Sequence, residues 1–129
     1  MTHSLLIGVG GLAVATASYM WVGTAHWYDT VPGVRQTGPL NLHFARDVAL
    51  AYFTSGLALI WGGAKQDPSA ALCGAAWPVL HALFHVWIWL HRGMALDAIA
   101  ATNLVGIQLP AYLGLYGALR LASDRRAAA

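Results

Sequence analysis

Four long stretches without a charged residue constrain this chain more than any other feature: Ser4 to Ala25, Val48 to Ala64, Ser69 to Leu90, and Ala98 to Leu119. A helix that crosses a bilayer needs about 20 predominantly apolar residues, and three of these stretches meet that length as they stand. The second meets it only if the helix starts near Ala45 or earlier, which draws Arg46 and Asp47 into its first turns. Four spans nearly exhaust 129 residues, so the expected fold is a single all-α integral membrane domain. Its four transmembrane helices are expected in an antiparallel bundle, at roughly 4–27, 41–64, 69–91 and 95–121.

The boundaries have chemical markers. "TGPLN" supplies a Gly-Pro start signal and Asn41 as a candidate N-cap, "KQDPS" separates the second helix from the third with a proline, and "HRGM" separates the third from the fourth. The last two links are tight turns, which favours antiparallel neighbours. Pairs such as Ala71 with Ala75, Ala70 with Gly74, and Gly106 with Pro110 and Gly114 are spaced for close helix approach, and Pro110 is expected to kink the fourth helix. The apolar amino-terminal run contains an Ala-Thr-Ala step resembling a signal-peptidase site, but no Lys or Arg precedes it and the run continues beyond it. It reads as an uncleaved first helix, and "SDRRAAA" as a frayed inner end.

Lys and Arg set orientation, because cytoplasmic loops carry them in excess. Of the seven, Lys65, Arg120, Arg125 and Arg126 fall on one side, and Arg35, Arg46 and Arg92 on the other. The reading is therefore N-in and C-in, in a bacterial inner membrane. The long first connection then faces the periplasm. Only 9% of residues are charged, and basic residues form no run interleaved with aromatics, so nucleic acid is excluded as a partner class. A single cysteine, Cys73, excludes an internal disulfide and a Cys-x-x-C redox pair.

Against this apolar background, "HWYDTVPGVRQTGPLNLHFARD" from His26 to Asp47 gathers His26, Asp29, Arg35, His43, Arg46 and Asp47, and a later apolar run carries His81 and His85. His43 with Asp47, and His81 with His85, are four apart, so each pair projects from one helical face. With Asn41 and His91 at the outer ends and a rise of about 1.5 Å per residue, Asp47 and His85 lie roughly 9 Å deep and His81 roughly 15 Å deep. Ionisable groups in a membrane helix face the protein interior, which brings both pairs to one outward-facing pocket. The expected metal ligands are His43, Asp47, His81 and His85, with His26 as an addition.

Such a set suits Zn, Fe, Cu or Mn, or a haem b with one axial histidine from each of two helices. Arg46 and Arg92 are then cofactor-binding residues that neutralise an anionic group such as a propionate. An open metal position permits redox or metal-dependent chemistry on a membrane-dissolved substrate. The competing reading assigns the polar residues to helix packing in an accessory or scaffold subunit of a larger membrane complex, or in a homo-oligomer, with lipid as the surrounding partner. Under it, Asp47 pairs with Arg46, His43 or Arg92, and the Trp and Tyr near His26 form an aromatic belt. A third reading, proton or small-solute passage, needs polar residues towards the inner side, where Thr54, Gln108 and Cys73 make a sparse trail.

Overall fold

The computed structural model describes residues 2–128, and every described element is helical. The elements are α1 (Thr2–Val22), α2 (Thr24–Thr30), a 3₁₀ turn (Val34–Thr37), α3 (Leu42–Lys65), α4 (Pro68–His91) and α5 (Ala98–Ala127). The four long helices, α1, α3, α4 and α5, are each long and apolar enough to cross a membrane. They pack in a closed ring, α1 on α3, α3 on α4, α4 on α5 and α5 on α1, with the α1–α3 interface the most extensive.

The helix starts follow local chemistry. Asn41 Oδ1 accepts the Phe44 N–H at 3.0 Å, so Asn41 is the N-cap of α3. Asp67 Oδ1 accepts from Ser69 N at 2.9 Å and Ala70 N at 3.2 Å, with Pro68 in the first turn where its missing N–H removes no helical bond. Asp97 caps α5 by accepting the Ala100 N–H at 2.9 Å. The turn after α3 is closed by Gln66 in the left-handed region, with Asp67 N–H donating to Gly62 O at 2.9 Å.

Three features differ from the sequence-based expectation. The first helix ends at Val22 rather than near 27, because the chain breaks at Gly23 (φ −109°, ψ 39°) and restarts as the short α2. The tail through Arg125 and Arg126 is helical to Ala127, and two cations in the last turn suit the negative end of the helix dipole. Within α5, Leu104–Gln108 is π-helical, immediately before Leu109 and Pro110. Pro110 has no N–H to return to the preceding turn, and the wider turn absorbs that missing bond.

The packing buries mostly small residues and leaves most large apolar ones outside. The centre is formed by Leu6, Leu59, Ala71, Ala75, Ala118 and Leu121. Leu80, Leu83, Phe84 and Trp87 of α4 are exposed, as are Leu12 of α1 and Leu113 of α5. Close approach depends on glycine: a Cβ at Gly10 would lie 2.6 Å from Gly56 O, and one at Gly62 would lie 2.6 Å from Ala71 N. Helices apolar all round and joined through small residues are compatible with a polytopic membrane protein.

A histidine pair as candidate functional site

Residues Trp77, His81 and His85 follow one another at four-residue intervals on α4, so their rings share one helical face. His81 stacks on Trp77 (centroids 4.8 Å apart, planes 11° apart) and meets His85 edge to face at 4.6 Å. Tyr52 of α3 closes over them, edge-on to Trp77 at 4.9 Å and to His81 at 5.9 Å. Tyr52 reaches this position because it continues the α3 face that buries Ala45, Ala49 and Gly56. His85 is the chemically unfinished member, since its buried Nδ1 has no hydrogen-bond partner. A ring nitrogen sealed from solvent without a partner carries a desolvation cost.

The other expected site residues are placed elsewhere. His43 Nε2 lies 3.4 Å from Asp47 Oδ2 on the same helix, with their side chains 90% and 58% exposed. Arg46 lies over the Trp21 ring, its guanidinium carbon 5.4 Å from the centroid. Arg92 donates to Asp97 Oδ2 across the turn between α4 and α5. His26 Nδ1 is 2.6 Å from the Tyr19 hydroxyl, which also lies 3.2 Å from Thr30 Oγ1. Among the described residues no three His, Cys, Asp or Glu side chains come together in a group that could hold a metal ion. The four expected ligands thus resolve into two pairs, one exposed on α3 and one half-buried between α3 and α4.

The connections from α2 to α3 and from α4 to α5 are organised by side chains rather than by burial. Tyr28 donates its hydroxyl to Gly38 O at 2.7 Å, Arg35 Nε stands 3.8 Å from Asp29 Oδ1, and Trp89 Nε1 donates to Ala95 O at 3.0 Å. The hydrogen bond from Arg92, followed by that from the Ala100 N–H, holds the Asp97 carboxyl below its ordinary value. Gly33, at φ 94°, sits against α5, where an added Cβ would be 2.9 Å from Ile99 Cγ2.

Tyr52 and Trp77 were not among the residues expected from sequence. Trp77 carried a usable signal, since Trp-x-x-x-His-x-x-x-His places three π systems on one face. Tyr52 carried none, because its partners lie on another helix. Comparison with protein-family models, curated proteins and solved structures finds no match to this chain.

Proposed function

We propose that this chain is a polytopic protein of a bacterial inner membrane, a single antiparallel four-helix bundle with both termini cytoplasmic, that binds a transition-metal ion through His81 and His85. Insertion is supported by the exposure of the large apolar side chains and the burial of small ones. The antiparallel course of α1 and α3 is supported by their contacts, since Gly63 lies against His3 and Leu6 whereas Gly56 lies against Gly10 and Val14. Orientation rests on the distribution of Lys and Arg.

The observation that carries the metal reading is the buried, unpartnered Nδ1 of His85 beside a second imidazole. Two histidines four residues apart would form a rigid half-set for Zn, Fe, Cu or Mn, leaving room for water or substrate as further ligands. When bound, such an ion supplies Lewis acidity or redox chemistry. Tyr52 and Trp77 fix the plane of His81, and the surrounding apolar side chains limit water. Haem b draws less support, because a histidine from a second helix is needed on the opposite face of the ring and His43 is instead paired with Asp47 and exposed. The passage reading is also weakened, since Thr54 and Cys73 of the polar trail are exposed rather than turned into the bundle.

The test is metal content per chain for the purified protein and for His81→Ala and His85→Ala. Near one ion per chain, lost in both variants while helical content is unchanged, is the expected result. Equal metal content in all three proteins removes the histidine pair from any site, and a stable metal-free protein leaves the accessory-subunit reading.

A further inference from the structure

The two ends of the bundle differ in charge. Gly117 lies against Leu5 and Leu6, Gly63 against His3, and Gly62 against Ala71, so the start of α1, the end of α3, the start of α4 and the end of α5 share one end. There Lys65, Arg120, Arg125 and Arg126 outnumber Asp67 and Asp124, whereas at the other end Arg35, Arg46 and Arg92 balance Asp29, Asp47 and Asp97. The ion pairs among the described residues all lie at the balanced end, and Asp67 is occupied as a helix cap. Arg120, Arg125 and Arg126 are exposed and, among the described residues, form no ion pair.

Helical spacing separates these three arginines. Leu109, Tyr112, Leu113, Tyr116 and Leu119 form the exposed face of α5. Arg120 follows Tyr116 by four residues and Arg126 follows Leu119 by seven, so both continue that face. Arg125 follows the buried Ala118 by seven and the buried Leu121 by four, which places it on the opposite side, past the end of the bundle. We propose that the exposed face docks an anionic phospholipid of the phosphatidylglycerol class, its phosphate held by Arg120 and Arg126 and an acyl chain laid along Tyr116, Leu113 and Leu109. The proposal rests on the membrane-insertion reading and is independent of the histidine pair.

Lengths agree with this occupant. From Leu109 to Arg120 the helix rises roughly 16 Å, and one leaflet's share of the hydrocarbon core is about 15 Å. The headgroup layer adds about 5–7 Å on each side. Because Gly117 lies against Leu5 and Leu6, Leu121 is level with the first turn of α1, and Arg126 stands roughly 7 Å past it. Arg120 and Arg126 therefore bracket the phosphate layer, and their long side chains can turn towards it. Charge selects the lipid. A choline headgroup brings its own cation beside two unpaired arginines, whereas a glycerol headgroup leaves the phosphate charge for them. Asp124, one turn past Arg120, repels the same phosphate, so both arginines are needed to outweigh it.

The test is native mass spectrometry of the full chain in detergent, titrated with phosphatidylglycerol or phosphatidylcholine of matched acyl chains. Insertion is checked separately, by flotation of reconstituted vesicles after an alkaline carbonate wash. Each arginine near an anionic surface contributes about a fivefold preference. With Asp124 offsetting part of this, phosphatidylglycerol should bind about tenfold more tightly than phosphatidylcholine. Arg120→Gln and Arg126→Gln should each lower phosphatidylglycerol affinity about fivefold and leave phosphatidylcholine unchanged, and the double variant should lose the preference. Arg120→Lys and Arg126→Lys should keep most of it, since a point charge also holds phosphate. Arg125→Gln removes the same charge from the other side of the helix and should have the smallest effect.

Equal affinity for the two lipids in a protein that floats with the vesicles overturns the docking site and leaves insertion standing. A loss in Arg125→Gln as large as that in Arg126→Gln assigns the preference to net charge, and displacement of the lipid by millimolar inorganic phosphate assigns it to a free anion; either result overturns the proposal. Protein stripped from the vesicles by carbonate removes the insertion reading, and the docking site with it.

Discussion

The α1–α3 interface makes a quantitative demand on one glycine. A Cβ at Gly10 would stand 2.6 Å from Gly56 O, 2.8 Å from Ile60 Cγ1 and 3.0 Å from Ile60 N, whereas one at Gly11 meets nothing within 4 Å. Ordinary carbon–oxygen contact begins at roughly 3.3 Å, so Gly10→Ala must part the two backbones by about 0.7 Å. A gap of that size forfeits a quarter to a half of the dispersion energy of each contact it opens, and overpacking of this kind costs about 1–3 kcal/mol.

Replacing glycine by alanine in a helix returns about 1 kcal/mol through propensity, and this gain is common to both positions. The difference between Gly10→Ala and Gly11→Ala should therefore be about 1–3 kcal/mol, with Gly11→Ala no less stable than the parent. Reversible unfolding in mixed micelles with increasing sodium dodecyl sulfate, followed by circular dichroism, measures it. If the two variants unfold within about 0.3 kcal/mol of each other, the glycine contact is not what holds α1 to α3.

Asn41→Ala removes the cap bonded to Phe44 N and should cost about 1 kcal/mol in the same assay. The Asp97 carboxyl is held below its ordinary value, chiefly by Arg92, so its contribution is present above the unfolded value of about 3.9 and fades as pH falls through the lower folded value. Faster relative exchange of the Ala100 amide on acidification should report this, and Asp97→Asn should remove the dependence; an unchanged response in that variant would assign it to another group. For topology, Arg35→Cys should react with a membrane-impermeant maleimide in intact cells, and reaction only after permeabilisation would reverse the orientation.

The helices were legible because apolar runs and caps are local signals. Asn41 and the breaks at "KQDPS" and "HRGM" all stand where their chemistry implied. What depended on rotation about a helix axis was less so. His43 and Asp47 were expected to face inward on the cost of exposing polar groups to lipid, yet Ala45, Ala49 and Gly56 define the buried face of α3 and the His43–Asp47 pair lies off it. Near a helix start, headgroups and water relieve that cost, so depth rather than polarity governs the direction. The tight contacts of Gly10, Gly56 and Gly62 were equally hidden, because close approach belongs to a pair of helices and either sequence alone shows only a small residue.

The histidine pair is the centre of the account, and X-ray absorption at the metal edge of tag-free, detergent-purified protein tests it most directly. A shell containing two imidazole nitrogens at about 2.0–2.1 Å if the metal is zinc, with the metal edge lost in either His81→Ala or His85→Ala, is the predicted result. A metal-free protein, or a shell unchanged by both substitutions, would contradict it.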